Sequence, residues 1–403
     1  MWKNIEAAPA DAILGLTEAF KNDSNPNKVN LGVGVYKDDK GTTPVLSCIK
    51  KAESMLLNEQ MTKGYLPISG NAEYAQAVQE LLFGPNSEVI TSSRASTIHS
   101  PGGTGGLRVG ADLVRKFKPN AKLWVSSPTW ANHKGIFTAA GFEINDYPYY
   151  NSQTKKVNFE EMISALDCIP EGDVVLLHVC CHNPTGADLN QEQWDSIVES
   201  AKINKWIPFL DFAYQGFGDS IEEDRVAVEK FAASGIDFLL ASSFSKNLAL
   251  YNERVGALTV ISPTKEEAKV AMSHSKKIIR VNYSNPPAHG GLSAKTVLTD
   301  VDLRNLWLSE LSEMRERIKK MRSALVNGLI KRGVDQDFSY IIDQRGMFSF
   351  SGLSDTAVMD LKENKSIYIV KGGRINVAGL TSNNIDYVCD SIADTIKPVS
   401  YTH

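Results

Sequence analysis

The chain has 403 residues, long enough for two domains with substantial cores. Hydrophobic residues make up 42% and charged residues 22%, the balance of an ordinary soluble globular protein. A net charge of −4 with no basic block or stripe argues against a nucleic acid or an anionic membrane surface as partner. No stretch approaches the ~20 apolar residues of a spanning helix. The N-terminal run MWKNIEAAPADAILGL carries Glu6 and Asp11 and no long apolar segment, unlike a signal or transit peptide. Five cysteines, Cys180 and Cys181 adjacent among them, suit reduced thiols in a cytoplasmic compartment better than a disulfide framework.

From about residue 95 to 265, short apolar runs alternate with helical patterns. The runs are LWVSS (123–127), FEINDY (142–147), VVLLHVCC (174–181), WIPFLDF (206–212), FLLASSF (238–244) and GALTVIS (256–262). Stretches such as LRVGADLVRKF (107–117) and QEQWDSIVESAKI (191–203) repeat apolar residues at helical spacing. This alternation predicts an α/β fold with a mostly parallel sheet flanked by helices. Beyond residue 303, Leu308, Leu311, Met314, Ile318, Met321, Leu325 and Leu329 mark one long amphipathic helix leading into a second domain. YIIDQRGMFSFSG and SIYIVKGGRINVAG read as a small antiparallel sheet. A last helix follows, with Thr381 or Ser382 as its N-cap.

The segment SSFSKNLALYNERVG (242–256) carries the most chemistry. It sets Lys246 among Ser242, Ser243 and Ser245 at the polar end of an apolar strand, with Arg254 eight residues on. A lysine so placed suits a carbonyl cofactor that bears a phosphate. The amine forms a Schiff base, and the hydroxyls and guanidinium hold the phosphate dianion. Asp211 closes the strand WIPFLD, where a carboxylate can pair with a protonated pyridine nitrogen and keep the ring an electron sink. Gly102-Gly103-Thr104-Gly105-Gly106 precedes the helix expected from Leu107, so its backbone N–H groups can meet a phosphate. The spacing is not G-x-G-x-x-G, and no ribose-binding acid follows, which argues against a dinucleotide. His178 and His182 flank the paired cysteines, but VVLLHVCCHNPTG reads as a buried strand running into a turn, and no metal site is expected there.

SFSKNLALYNERVG resembles the pyridoxal-phosphate lysine segment of the aspartate aminotransferases, class I aminotransferases of fold type I. The resemblance covers essentially the whole chain. It includes PADAILGL, NLGVGVYKDDKGTTPVL, YLPISGNAEY, SPTWANHKGIF, HNPTGADL, LDFAYQGFG, RVNYSNPPAHG, RGMFSFSGL and GGRINVAGL, in family order. It implies a fold type I transferase with three parts. Residues 44–313 form a large cofactor-binding domain, residues 11–43 and 314–403 a smaller α+β domain, and residues 1–10 an arm on a partner subunit.

The resemblance also implies roles. Lys246 holds pyridoxal 5′-phosphate and moves the substrate proton. Tyr214 and Asn183 bond the phenolic oxygen of the cofactor, and Trp130 stacks on its ring. His133 supports Asp211. Gly103, Thr104, Ser243 and Arg254 bind the phosphate, with Tyr65 reaching in from the other subunit; family members commonly carry a small hydroxyl residue where Gly102 stands. Arg374 grips the substrate α-carboxylate as a planar fork. Arg280, also from the other subunit, takes the second carboxylate. Trp130, Asn183, Gly34, Asn285, Ile13, Leu14 and Phe348 line or close over the substrate. The small domain is expected to close over a bound dicarboxylate.

The activity so implied is transamination of L-aspartate with 2-oxoglutarate in a ping-pong cycle, run by a homodimer with shared sites. The nearest alternative is a broad-specificity enzyme of the same group that also accepts aromatic amino acids; Arg280 does not exclude it. A pyridoxal-phosphate lyase would need no keto-acid acceptor. A non-catalytic descendant should have lost Lys246, Asp211 or Arg374, and none is lost.

Overall fold

A computed structural model describes residues 1–7 and 12–396. The chain divides into a larger unit, Pro44–Glu316, and a smaller one, Met1–Thr43 with Arg317–His403. The division falls inside the helix Val301–Lys331. This is the long amphipathic helix expected from the leucine spacing, and it starts seven residues before Leu308.

The larger unit is built on a seven-stranded sheet. Its strands are β1 (Ala95–Pro101), β2 (Leu123–Ser127), β3 (Ile144–Pro148), β4 (Val174–His178), β5 (Ile207–Phe212), β6 (Phe238–Ser243) and β7 (Val255–Ile261). They lie in the order β1-β7-β6-β5-β4-β2-β3. All neighbours run parallel except β7, which is antiparallel to both β1 and β6. Every residue of β4 and β6 is buried, the mark of strands covered on both faces.

Helices supply that cover. Leu107, Val109 and Leu113 of the helix Gly102–Phe117 pack with Val125, Leu176, Phe209, Leu239 and Leu258 of the sheet. Phe137, from the helix Ala131–Ala139, meets Phe209 edge to face at 5.5 Å between ring centres. Gly110 lets the first of these helices lie close, because a Cβ there would collide with the Phe209 ring. The helix Gln191–Asn204 opens on a capping box. Asn190 Oδ1 accepts from the N–H of Gln193, and Gln193 Oε1 accepts from the N–H of Asn190.

Three sequence expectations are corrected here. The glycines 102–106 do not precede their helix but form its first turns, since the helix starts at Gly102. Tyr340–Asp343 is a helical turn rather than a strand. Ile367–Tyr368 does not join an antiparallel sheet; it pairs parallel with Val29–Asn30. The antiparallel pair of the smaller unit is Phe348–Phe350 with Arg374–Asn376. Strands of two and three residues are too short for an alternating pattern to reveal their partners. The last helix, Ile385–Ile396, is preceded by reciprocal bonds in which Thr381 Oγ1 accepts from Asn384 N–H and Asn384 Oδ1 from Thr381 N–H.

Candidate active site

Parallel strands deliver their carboxyl ends to one edge of the sheet, and most of the expected residues of the larger unit lie there. Asp211 ends the apolar part of β5, opposite His178 of β4 and Ala241 of β6. Tyr214 follows in the next turn, and Asn183 in the turn after β4; both are buried. Lys246 stands just beyond β6, with Nζ 4.8 Å from the centre of the Tyr214 ring. Its side chain keeps partial exposure, yet burial of the amine pulls its pKa down to about 8; Arg254 pushes the same way and Asp211 opposes. The amine is thus far closer to its neutral, nucleophilic form near pH 7 than a surface lysine is.

Asp211 is buried, which alone would raise its pKa. The hydrogen bond from His133 and the nearby Lys246 ammonium outweigh that cost and hold it below the ordinary carboxylate value. His133 Nε2 lies 3.0 Å from Asp211 Oδ2. Behind it, His133 Nδ1 is 2.8 Å from Thr129 Oγ1, which is in turn 3.0 Å from His178 Nε2. Burial drops the His178 pKa to about 3, so this ring is neutral. A carboxylate only accepts, and a hydroxyl has one proton. Around a neutral His133 ring these limits give one ordering: His178 Nε2–H donates to Thr129, Thr129 O–H to His133 Nδ1, and His133 Nε2–H to Asp211. Trp130 packs edge-on against His133 at 5.1 Å.

Thr129 and the role of His178 escaped the sequence reading. Thr129 sits four residues before His133, a spacing that brings the two side chains together at a helix start. That was the available signal. The histidines weighed as metal ligands have other partners. His182 lies 3.0 Å from Ser126 Oγ and 2.8 Å from Thr185 Oγ1, and among the described residues no cluster of three His, Cys, Asp or Glu side chains could hold a metal.

A candidate phosphate cradle lies one strand away. The helix Gly102–Phe117 has no side-chain N-cap, so its first N–H groups are left for an anion. Gly103 approaches Ser243. Ser242 Oγ is buried with no hydrogen-bond partner, and Ser243 Oγ accepts from Ser245 N–H at 3.2 Å. The Arg254 guanidinium lies against Gly102, where a side chain would collide with it. Uncapped N–H groups, the Ser243 hydroxyl and a guanidinium suit a phosphate dianion, and Lys246 suits an aldehyde. The residues present fit pyridoxal phosphate.

Tyr65, 96% exposed, and Arg280, also exposed, are not bonded to this cluster. Arg280 donates instead to Ser284, four residues on. Asn285 donates to Leu66 O at 3.4 Å, tying the turn after Arg280 to the loop after Tyr65.

In the smaller unit, Arg374 begins the strand Arg374–Asn376 and is buried. It donates to Gly32 O, and its Cζ lies 4.5 Å from the centre of the Phe348 ring. Gly34 touches the same ring from another side; a Cβ there would stand 2.8 Å from Phe348 Cζ. The side chains of Ile13 and Leu14 lie outside the described residues.

Comparison with known proteins gives the family of the chain. The family model described as aminotransferase class I and II matches residues 26–392. The aspartate aminotransferase of Haemophilus influenzae is 50% identical, over 98% of this chain and 100% of its own. That of Escherichia coli K12 is 48% identical, over 97% and 99%. An aromatic-amino-acid aminotransferase from Burkholderia pseudomallei, solved with pyridoxal phosphate covalently bound, superposes with a TM-score of 0.97 at 49% identity, covering 98% of this chain and 100% of that one. With the fold, the lysine and the near full-length likeness in agreement, the chain belongs to the class I and II aminotransferases.

Proposed function

We propose that this aminotransferase moves the amino group of L-aspartate to 2-oxoglutarate, giving oxaloacetate and L-glutamate through pyridoxal phosphate in a ping-pong cycle. The observation that carries the reading is Lys246, its pKa drawn down to about 8, at a strand end shared with Asp211 and Tyr214. When bound, pyridoxal phosphate supplies an aldehyde that condenses with amines and a ring that accepts the electron pair left when Cα loses its proton.

The chain's own groups do the rest. Lys246 would anchor the cofactor through its amine and, once that amine is free, would hold and move the proton taken from the substrate Cα. Asp211 keeps a negative charge at the ring nitrogen, and His133 holds that carboxylate in place. Tyr214 and Asn183 would stabilise the phenolic oxygen, and Trp130 would lie against the ring. Gly103, Thr104, Ser243 and Arg254 take the phosphate. Arg374 receives the α-carboxylate as a two-pronged pair.

The enzyme works as a homodimer in the cytoplasm, with Tyr65 of a second copy completing the phosphate site and Arg280 of that copy binding the distal carboxylate. Exposure of both residues supports this. None of the five cysteines is joined in a disulfide. No helix among the described residues is long and apolar enough to cross a membrane.

The alternative is a broader enzyme that also turns over aromatic donors, favoured by the aromatic-amino-acid aminotransferase likeness at 49% identity. A coupled assay with 2-oxoglutarate and equal aspartate, tyrosine or phenylalanine separates them. Strong preference for aspartate supports the dicarboxylate reading. Comparable aromatic turnover moves the chain to the broader class, and no transamination with any donor overturns both.

A further inference from the structure

The most deeply buried cation of the smaller unit is not Arg374 but Arg322, which is 1% exposed on the helix Val301–Lys331. A guanidinium out of water is costly unless its donors are met. Here they are met by one short segment. Nη1 donates to Ile341 O at 3.0 Å and to Ser349 Oγ. Nη2 donates to Gly346 O and Phe348 O, both at 2.7 Å. Three of these four acceptors are backbone carbonyls, so the fork grips the chain itself on both sides of Met347.

That grip bears on Phe348. The ring has Gly34 at one side and the Arg374 guanidinium 4.5 Å from its centre. The strand carrying it is pinned to the strand carrying Arg374, with Phe348 opposite Asn376 and Phe350 opposite Arg374. Asn376 in turn donates to Val33 O and Val35 O, at 2.6 and 2.8 Å, which secures the loop holding Gly34. A planar guanidinium over an aromatic face has a preferred attitude. Whatever fixes the ring therefore fixes the direction in which the Arg374 guanidinium points.

We propose that Arg322 is a positioning residue for the α-carboxylate contact: by clamping residues 346–349 it holds the Phe348 ring against Arg374 and so aims the Arg374 fork at the substrate. This rests on the reading that Arg374 binds the α-carboxylate. Lysine cannot replace the clamp. Its three donors radiate from one atom and cannot span Ile341 O, Gly346 O and Phe348 O as a planar fork does.

The test uses the cofactor-loaded dimer and two readouts: steady-state kinetics, and calorimetric affinity for succinate, an unreactive dicarboxylate. Arg322→Lys should raise KM for aspartate and for 2-oxoglutarate and weaken succinate roughly tenfold, because a misdirected fork loses binding geometry. The visible absorbance of the bound cofactor should not change, and kcat should fall less than KM rises. In an Arg374→Ala background, Arg322→Lys should have no further effect on succinate affinity, a non-additivity that general loosening of the unit would not produce. Ser349→Ala, which removes one acceptor, should show the same pattern more weakly and decides the matter if Arg322→Lys fails to fold. Unchanged succinate affinity in the variants, or fully additive losses with Arg374→Ala, overturns the proposal. If Arg374→Ala itself leaves succinate affinity intact, the α-carboxylate assignment fails instead.

Discussion

His133 Nε2 lies 3.0 Å from Asp211 Oδ2, and both groups are buried. The pair is the near end of a hydrogen-bonded chain that runs through Thr129 to a neutral His178. Its direction is set at the near end, where the Asp211 carboxylate can only accept: His133 donates to it from Nε2, a neutral ring takes the Thr129 proton on Nδ1, and Thr129 accepts from His178. The chain keeps His133 donating to Asp211, and that bond together with the Lys246 charge holds Asp211 ionised.

If Asp211 faces the ring nitrogen as proposed, removing its carboxylate takes away the opposing charge. Asp211→Ala should lower kcat by about 10²–10³, the size of loss typical for a preorganised electrostatic partner. His133→Ala should cost less, roughly 10-fold to 100-fold, since it removes one hydrogen bond to a charge that remains. Single-turnover kinetics with aspartate read both. If His133→Ala matched Asp211→Ala, the histidine would be acting on the substrate itself and not through the aspartate.

Much of this site was legible because parallel strands bring residues from distant motifs to one edge. Once Lys246 and Asp211 were each read as strand ends, their neighbourhood followed from the fold class. The Thr129–His178 bond was not legible, because its partners are 49 residues apart and both are ordinary buried polar residues in sequence. Arg322 was hidden differently: it stands in a helix whose apolar spacing says only which face is covered, and the guanidinium enters that face by finding carbonyls. The pairing of Ile367–Tyr368 with Val29–Asn30 joins residues more than 300 positions apart through two residues each, below any periodic signal.

Lys246 gives a pH signature. With its pKa drawn down to about 8, the cofactor-free enzyme should combine with pyridoxal phosphate at a rate that is level above pH 8. Below that the rate should fall about tenfold per pH unit, because only the neutral amine attacks the aldehyde. The sign is fixed by burial favouring the uncharged amine. Stopped-flow absorbance measures the rate. A midpoint near 10.5 would mean the amine is solvated like a surface lysine, and Lys246→Ala should form no covalent adduct at any pH.

Gly102 has φ +74°, and a side chain there would collide with the Arg254 guanidinium. Gly102→Ser should therefore strain the first helical turn by about 1–2 kcal/mol and displace Arg254 from the phosphate cradle. Family members commonly carry a small hydroxyl at this place, yet in this chain the arginine occupies the volume it would need. The expected result is a lower melting temperature and faster loss of cofactor on dialysis. Tighter cofactor retention would show that a serine hydroxyl bonds the phosphate here and that Arg254 moves aside freely.

Arg280 tests specificity and the dimer together. It lies in the last turn of the helix Lys265–Asn282, exposed and bonded to Ser284 in its own chain. If a second copy's Arg280 binds the distal carboxylate, Arg280→Asp should turn preference away from acidic donors and toward basic ones, since the like charge repels and the opposite charge attracts. Persistent preference for aspartate would place the specificity cation elsewhere. Co-expression of Lys246→Ala with Arg280→Asp chains then asks where the arginine comes from. In a mixed dimer one site combines Lys246 from one chain with Arg280 from the other, both intact, and the second site carries both defects. Mixed dimers should recover up to half of wild-type aspartate turnover, although neither parent has appreciable activity. Failure to recover would mean that each chain supplies its own distal cation, and that the exposed Arg280 serves a surface contact of little energetic weight.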